Sequence, residues 1–350
     1  MNRILMIGLT PGIEGGSQRH IYEISSRINC KVLTQRRSIC KNKIEIPILS
    51  ENGFLMNISF FISVFIYCFY LLLKPRKEFD VIHIHENLLY LAVPFLKFRY
   101  TVVVTVHGIS GFNFYDNKFL WFFFSNSLKY ANKIISVSVS DKDTLEKIFS
   151  NVEYVPNGVE TNVYEKISVK KIENKITFVG RIHEQKGISF LLEAFSLIKN
   201  DFPSYRLEII GKKEGKLYDK LKSNYDRKGI IWRGFILDRK ALFSEIASSK
   251  ILVFPSLWEA LPWPALLEGL ASGRPVIASD LNGMRKIFKD KKDIFLVPPS
   301  DSKALAEAIE KILRNNKLEN SLGKNGKLTA KKYTWDFISL KVQKVYKSVI

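Results

Sequence analysis

Two basic residues, Arg181 and Lys186, are spaced as a phosphate-binding pair would be. An apolar strand ends in Gly180-Arg181, and Lys186-Gly187 opens the next helix. Arginine binds phosphate through a two-pronged fork and lysine binds it as a point charge, so the pair could converge on a diphosphate at the carboxyl end of the strand. Either residue alone is more commonly a solvated surface cation, but the spacing favours the phosphate interpretation.

Two carboxylates, Glu259 and Glu268, follow a second apolar strand. This strand leads into a loop rich in tryptophan and proline, and Pro264 suits the first position of a helix that carries Glu268 in its second turn. Carboxylates at these places could accept hydrogen bonds from sugar and ribose hydroxyls. The alternative is that each is a surface group compatible with the helix dipole.

Two features of the first half of the chain could also bind a ligand. Gly15-Gly16 lies between the first strand and the first helix, where glycine lets the backbone approach a ligand and the helix N-terminus favours anions. His107 ends another strand, in the run Thr-Val-His-Gly. The alternatives are a plain strand-to-helix turn and a structural histidine whose hydrogen bonds are satisfied.

Other chemistries are disfavoured. The glycine loop is not G-x-G-x-x-G, and neither a P-loop G-K-[ST] nor a G-x-S-x-G elbow occurs. His83 and His85 share one strand face, but H-E-x-x-H would need histidine at position 89, which is leucine. We therefore predict no metal site, no bound cofactor and no serine nucleophile.

Strand-like apolar runs alternate with helix-length segments along the whole chain. The predicted strands are 3–9, 81–85, 101–106, 133–138, 175–179, 206–210, 230–232, 251–254, 275–278 and 295–297. The predicted helices are 17–28, 54–73, 88–98, 117–130, 141–149, 187–199, 241–247, 264–271 and 302–314. This alternation predicts an α/β protein with two doubly wound, Rossmann-like domains. Ligands should bind at the carboxyl ends of the strands, in the cleft between the domains.

Composition limits the class of protein and its partners. The chain of 350 residues is 46% hydrophobic and 25% charged, which excludes a disordered protein. Its net charge is +20, with 36 basic and 20 acidic residues in 166–350, so an anionic partner or a lysine-rich solvated surface is expected. Three cysteines without a C-x-x-C pattern, and no signal peptide before the first strand, predict a cytoplasmic protein.

One helix is apolar enough to concern a membrane. Residues 54–73 carry no charge and are long enough to cross a bilayer. A spanning helix would separate the strand predicted at 3–9 from the other strands of its sheet, so we favour a helix that is buried or lies at a membrane interface. The aromatic segment 111–133 supports the interfacial version, and a packed aromatic core is its alternative.

Five segments in their order resemble glycosyltransferase family 4, retaining enzymes with the GT-B fold. They are Gly15-Gly16, Val155-Pro156-Asn157-Gly158-Val159, Gly-Arg-x4-Lys-Gly at 180–187, Pro-Ser-Leu-Trp-Glu to Leu-Leu-Glu at 255–268, and Ala-Ser-Gly-Arg-Pro-Val-Ile-Ala at 271–278. The resemblance covers nearly the whole chain. It implies an acceptor domain at 1–165, a nucleotide-sugar domain at 166–332 and a closing helix at 333–350 that crosses back to the first domain. The polar, lysine-rich segment 164–174 lies between the two sets of predicted strands and is interpreted as the linker.

The resemblance also implies roles for the candidate residues. Arg181 and Lys186 match the residues that neutralise the diphosphate of a nucleotide-diphospho-sugar, and Glu268 matches the residue that binds the ribose. The backbone at Gly16 would face the leaving phosphate, and His107 matches a position that often touches the transferred sugar. The family places seven residues between its two glutamates, whereas eight separate Glu259 from Glu268.

The extra residue leaves two possibilities for Glu259. Either the loop bulges and Glu259 still reaches the transferred sugar, or the carboxylate turns away and backbone groups replace it. We expect the bulge, because Ala260 has no hydrogen-bonding side chain.

The combined prediction is a retaining glycosyltransferase of the GT-B fold. It would transfer a sugar from a nucleotide sugar donor to a glycan or lipid-linked acceptor in polysaccharide or glycolipid synthesis, without a metal, while attached peripherally to an anionic cytoplasmic membrane surface. The alternatives are an epimerase or phosphorylase on the same fold, and a non-catalytic binder of anionic membrane or nucleic acid. No nucleic-acid-binding motif supports the last of these.

Overall fold

The chain folds into two compact units. The computed structural model describes residues 3–10, 15–36, 38–48, 53–109, 117–167, 172–225 and 229–350. The first unit comprises Met1–Gly158 and Trp335–Ile350, and the second comprises Val159–Thr334. The division therefore falls before the boundary predicted at residue 165. The predicted linker begins inside the second unit, because Tyr164 is buried there against the ring of Phe243.

The first unit is built on a parallel sheet of seven strands in the order β3-β2-β1-β4-β5-β6-β7. Its strands are β1 (Ile4–Ile7), β2 (Lys31–Gln35), β3 (Lys43–Ile46), β4 (Val81–Ile84), β5 (Thr101–Val106), β6 (Lys133–Ser136) and β7 (Val152–Tyr154). The central strands β1, β4 and β5 are almost entirely buried, as apolar strands of a sheet covered on both faces must be. Strands β2, β3 and β7 were not predicted.

Each missed strand has a physical reason. β3 and β7 lie at the edges of the sheet and keep polar side chains in solvent, so neither shows a continuous apolar run. β2 ends in Thr34 and Gln35, which are buried but polar. Their burial depends on hydrogen bonds to Thr10 after β1, with 2.9 Å between the Thr10 and Thr34 hydroxyls and 3.1 Å from the Thr10 amide to Gln35 Oε1.

The helices of the first unit cover both faces of this sheet. They are α1 (Gly16–Ser25), α2 (Gly53–Leu73), a short 3-10 helix (Asn87–Ala92), α3 (Val93–Lys97), α4 (Lys118–Leu128), α5 (Val139–Leu145) and, from the end of the chain, α13 (Trp335–Lys347). Trp335 and Tyr346 of α13 are buried in the core beneath β1 and β4. A Cβ atom at Gly158 would lie 2.5 Å from the Trp335 ring, so this glycine leaves room for α13.

Helix α2 lies on the sheet rather than across a bilayer. Its span Leu55–Leu73 has the length and composition of a membrane-crossing helix, and 28% of that stretch is buried inside the protein. Phe60, Val64 and Leu71 pack in the core. The strands before and after α2 belong to one sheet, in which β1 pairs directly with β4, so α2 cannot place them on opposite sides of a membrane.

The second unit has a parallel sheet of six strands in the order β10-β9-β8-β11-β12-β13. Its strands are β8 (Lys175–Val179), β9 (Arg206–Ile210), β10 (Ile230–Gly234), β11 (Ile251–Phe254), β12 (Val276–Ser279) and β13 (Phe295–Val297). Its helices are α6 (Ile188–Ile198), α7 (Leu217–Tyr225), α8 (Arg239–Ala247), α9 (Pro264–Ala271), α10 (Met284–Ile287), α11 (Ser302–Leu313) and α12 (Asn316–Ala330), with short 3-10 helices at Glu184–Lys186 and Lys331–Tyr333. All six strands were predicted; α7, α10 and α12 were not.

A buried network of charges lies at the amino end of the second sheet. Lys175, the first residue of β8, is fully buried, and its Nζ lies 2.5 Å from Glu245 Oε2 and 3.7 Å from Glu208 Oε2. Burial would raise the pKa of Glu208, but hydrogen bonds from Arg233 and Arg206 hold it below its usual value. Removing one member of such a network leaves the others buried without compensation.

The substitution Lys175→Met should lower the free energy of unfolding by about 3 kcal/mol, the cost of breaking a buried ion pair. Urea unfolding measures this loss. The control is Lys142→Met, which breaks the more exposed Lys142–Glu146 pair and should cost less than about 1 kcal/mol. Equal urea midpoints for the two variants would show that Lys175 contributes no more to stability than the exposed pair does.

Candidate active site

The predicted phosphate-binding residues lie where the strand order of the second sheet reverses. From β8 the chain goes to β9 on one side, and β11 lies on the other. The loops that leave β8 and β11 therefore diverge at the carboxyl end of the sheet, and ligands of doubly wound sheets bind in such a crevice. Arg181 and Lys186 follow β8, and Glu259 follows β11.

Backbone contacts fix the two loops against each other. Gly187 has a φ of +61°, and a Cβ atom there would lie 2.0 Å from the Pro255 carbonyl oxygen. The Leu257 amide donates a 2.7 Å hydrogen bond to the Gln185 carbonyl. Only glycine satisfies both the left-handed conformation and the close approach, so this glycine brings the Lys186 loop to the Glu259 loop.

Lys186 and Glu259 form an ion pair inside this crevice. The exposed fractions of the two side chains are 13% and 7%. Glu259 also accepts hydrogen bonds from the Ser256 hydroxyl (2.9 Å) and from Gln185 Nε2 (3.3 Å). Glu259 thus remains in the site despite the additional residue of its loop, and its carboxylate contacts the lysine predicted to bind phosphate.

Arg181 is the more accessible of the two cations. Its guanidinium lies 3.1 Å from Glu214 Oε2 and donates a 3.2 Å hydrogen bond to Gln185 Oε1, and about half of the side chain is exposed (53%). Gln185 therefore connects Arg181 to Glu259 through its two amide atoms. Glu214 and Gln185 were missed because neither belongs to a recognisable spacing.

Glu268 lies in the second turn of α9, as predicted, with Pro264 at the first position of the helix. Its Oε1 accepts a 2.6 Å hydrogen bond from Arg239 at the start of α8. The Arg239 guanidinium also lies over the Phe243 ring, 4.6 Å from its centroid. Arg239 was missed, since nothing in the sequence relates it to a residue 29 positions later.

The other candidate residues belong to the first unit. Gly15 caps the start of α1, and a Cβ atom at Gly16 would meet nothing within 4 Å, so packing does not require glycine at position 16. The preceding residues 11–14 of the predicted loop lie outside the described residues. His107 follows β5, and its Nε2 lies 3.1 Å from His85 Nδ1.

His107 belongs to a cluster that contains four of the five histidines of the chain. The rings of His20, His85 and His107 lie with their centroids 5.1 to 5.7 Å apart, and the His83 ring lies tilted against that of His85, 4.1 Å between centroids. Burial lowers the pKa of His20 to about 4, although a hydrogen bond to Asn157 opposes the shift. Burial also lowers the pKa values of His83, His85 and His107 well below their usual range. The cluster is therefore uncharged at neutral pH.

This cluster is not arranged as a metal centre. Across the part of the chain that the structure describes, no group of three or more histidine, cysteine, aspartate or glutamate side chains could hold a metal ion. An Asp-x-Asp pair, Asp141 and Asp143, occurs on α5, and Asp141 accepts a hydrogen bond from the Ile109 amide.

Sequence comparison decides the family. The model described as "Glycosyltransferase Family 4" matches residues 15–163, and "Glycosyl transferases group 1" matches residues 160–329. An uncharacterized glycosyltransferase of Methanocaldococcus jannaschii is 31% identical over 71% of this chain and 68% of its own length. The chain belongs to glycosyltransferase family 4.

Relatives with a described activity transfer hexoses. This family 4 glycosyltransferase is 27% identical to a phosphatidyl-myo-inositol mannosyltransferase of Mycobacterium leprae, over 78% of this chain and 74% of the relative. It is also 27% identical to an Escherichia coli UDP-Gal:alpha-D-GlcNAc-diphosphoundecaprenol alpha-1,3-galactosyltransferase, over 73% and 71% of the two chains. The chain is accordingly a hexosyltransferase-type enzyme.

Solved structures confirm the predicted GT-B fold. A sucrose-phosphate synthase from Thermosynechococcus elongatus superposes with a TM-score of 0.80 at 18% identity, covering 99% of both chains. HepE of Anabaena, solved with UDP and glucose, has a TM-score of 0.77 at 16% identity and covers 99% of this chain and 100% of its own. At such identities the likeness concerns the fold.

The histidine cluster predicts acid sensitivity. A histidine whose pKa is lowered on folding contributes stability that is lost as pH falls from 6.5 towards the folded value, since the unfolded chain is protonated first. The lowered pKa of His20 alone should reduce the free energy of unfolding by about 3 kcal/mol between about pH 6.5 and 4. The raised pKa values of Glu86 and Asp141 should increase stability as pH falls, but the four histidines outnumber these two carboxyl groups.

We therefore expect the free energy of unfolding to fall between about pH 7 and 5, as measured by urea titration at each pH. His20→Asn should reduce this slope. His183→Asn, which removes the one exposed histidine, should leave it unchanged. A stability that does not vary over this interval would contradict the buried neutral state of the cluster.

Proposed function

We propose that this glycosyltransferase transfers a hexosyl group from a nucleotide-diphospho-sugar to a glycan or lipid-linked acceptor, with retention at the anomeric carbon. The observation that carries the proposal is the convergence of Arg181 and Lys186 at the switch point of the second sheet. Each cation already pairs with carboxylate oxygens, of Glu214 and Glu259 respectively. Phosphate oxygens are bound by the same groups in the same way.

In this mechanism the leaving diphosphate is stabilised by charge. As the bond from the anomeric carbon to the phosphate oxygen breaks, negative charge develops on the diphosphate, and Arg181 and Lys186 offset it. The acceptor oxygen forms its bond to the same face of the anomeric carbon, and the leaving phosphate takes the acceptor proton. No side-chain nucleophile takes part, which gives retention without a covalent enzyme intermediate.

The two glutamates would hold the donor. When phosphate oxygens take over Lys186, Glu259 becomes able to accept a hydrogen bond from a hydroxyl of the transferred sugar. Glu268 would accept a hydrogen bond from the ribose, with its carboxylate oriented by Arg239. The UDP and glucose bound in HepE support this class of donor, and the lipid-linked substrates named for the relatives support the class of acceptor. His107 would contact the transferred sugar, and the α1 start at Gly15 and Gly16 would face the leaving phosphate.

We also propose that the first unit binds a cytoplasmic membrane surface peripherally. Helix α2 packs on the 3-10 helix 87–92, which packs on α3 and α4, so these four helices are contiguous. Their exposed apolar side chains, here called the apolar face, are Ile62, Ile66, Phe69, Leu73, Phe95, Phe98, Phe119, Phe122 and Phe123. Lys74, Arg76 and Lys77 follow α2 directly and suit anionic headgroups. Residues 111–116 of the predicted aromatic segment lie outside the described residues.

Loss of either phosphate-binding cation should lower turnover by about 10² to 10³-fold. Arg181→Ala should do so without a change in melting temperature, because its side chain is half exposed. Lys186→Met should also lower the melting temperature, because it leaves the Glu259 carboxylate buried without its cation.

The double variant Lys186→Met/Glu259→Gln separates the two effects. It should regain much of the melting temperature but none of the activity, measured as release of nucleoside diphosphate from a panel of nucleotide hexoses. Variants that turn over donor at the wild-type rate would refute the proposed role of the two cations.

Turnover should persist in excess chelator, because Arg181 and Lys186 already supply two positive charges to the diphosphate. The measurement is donor turnover in EDTA, and then with added Mg²⁺ or Mn²⁺. Abolition by EDTA with rescue by either metal would show that a cation takes part.

Vesicle binding should depend on the apolar face. The triple substitution Phe119→Ser/Phe122→Ser/Phe123→Ser should reduce co-sedimentation with phosphatidylglycerol vesicles several-fold, and high salt should release part of the wild-type protein. The matched control, Phe235→Ser/Leu237→Ser, removes exposed apolar side chains of the second unit and should bind normally. Unchanged binding by the triple variant, or release by detergent only, would refute this mode of attachment.

A further inference from the structure

The switch point of the first sheet carries a carboxylate that the mechanism above does not use. β1 and β4 are adjacent in the sheet; β2 lies beyond β1 on one side of this pair, and β5 lies beyond β4 on the other. The carboxyl ends of β1 and β4 therefore flank the crevice where such sheets bind ligands. Glu86 comes two residues after β4, and Leu9 comes two residues after β1. Glu86 Oε1 accepts a 3.0 Å hydrogen bond from the Leu9 amide, so the carboxylate spans the switch point and is fixed by backbone.

The other oxygen of this carboxylate is available. No residue that the structure describes donates a hydrogen bond to Glu86 Oε2, and no described lysine or arginine forms an ion pair with Glu86. Burial raises the pKa of Glu86 to about 7, and the one hydrogen bond from Leu9 opposes that shift only in part. A carboxyl group in these surroundings gains free energy from any hydrogen-bond donor that reaches it.

The surroundings of Glu86 limit the chemistry of that donor. Its neighbours along the chain are His85, which is buried and uncharged at neutral pH, and Asn87. The Tyr90 hydroxyl is already engaged, since it donates to the Thr105 carbonyl. With no described cation beside it, this carboxylate disfavours a phosphate and suits a neutral group that donates hydrogen bonds, such as a sugar or polyol hydroxyl.

We propose that Glu86 binds a hydroxyl group of the acceptor through Oε2, and that the part of the acceptor at this position is a neutral sugar or other polyol. The inference rests on the proposed function and adds an acceptor-binding residue to it. The Leu9 hydrogen bond holds Oε1, so the carboxylate can receive the acceptor hydroxyl without rearranging. Only hydrogen bonding is involved, and the acceptor proton still leaves with the phosphate.

The test is Glu86→Gln, which keeps the shape of the side chain and removes its charge. Two reactions are measured with the full-length chain: hydrolysis of a nucleotide hexose without acceptor, and transfer to octyl glycosides of glucose, galactose, mannose and N-acetylglucosamine. We expect the KM for the accepted glycoside to rise about tenfold or more, because the Leu9 amide holds the one remaining oxygen and the amide nitrogen that replaces Oε2 cannot accept a hydrogen bond from the hydroxyl. Donor hydrolysis and the donor KM should change less than about twofold. The control Glu146→Gln, which alters a carboxylate already paired with Lys142, should leave both reactions unchanged.

Each other outcome contradicts a distinct statement. An unchanged acceptor KM in Glu86→Gln would overturn the inference. Equal losses of hydrolysis and transfer, together with a lower melting temperature, would also overturn it, because they would indicate a structural role for Glu86. A wild-type enzyme that hydrolyses donor but is accelerated by none of the glycosides would overturn the polyol acceptor. A wild-type chain that neither binds nor hydrolyses any nucleotide hexose would refute the proposed function itself, and the inference with it.

Discussion

The reversal of strand order between two adjacent central strands determines where each unit can bind a ligand. In a parallel sheet every strand ends at the same edge, and loops that leave neighbouring strands in opposite directions open a crevice there. In the second unit the reversal between β8 and β11 brings Arg181, Lys186 and Glu259 to one edge. In the first unit the reversal between β1 and β4 does the same for Leu9 and Glu86.

The crevice of the second unit is held together by opposite charges. Lys186 and Glu259 are both largely buried, and each would be costly to bury without the other. Their pairing keeps a cation in place at a site proposed to receive phosphate. An arriving phosphate oxygen would exchange one anionic ligand of Lys186 for another, and the displaced Glu259 carboxylate then needs a new hydrogen-bond donor, the role proposed for a hydroxyl of the transferred sugar. Gly187 makes the arrangement possible by letting the two loops touch.

The first unit buries polar side chains and exposes apolar ones. Its interior contains four histidines, held uncharged by burial, while its surface exposes phenylalanines such as Phe98 and Phe119, with 90% and 70% of their areas in contact with solvent. Exposed apolar surface of this extent commonly marks an interaction site. The proposed membrane attachment and the proposed acceptor site therefore belong to the same unit, as a lipid-linked acceptor would require.

The sequence by itself determined the fold class, the two units and most of the buried strands, because apolar periodicity is a property of local sequence. Five short motifs in their order, among them the one with Arg181 and Lys186, indicated the glycosyltransferase family by resemblance. The polar strand β2 escaped prediction, since its burial depends on partners after β1. Only the tertiary structure decided that Glu259 contacts Lys186 and that Arg239 holds Glu268. These contacts join residues far apart in sequence, and no local pattern specifies them; they follow from strand order and from how closely the loops approach.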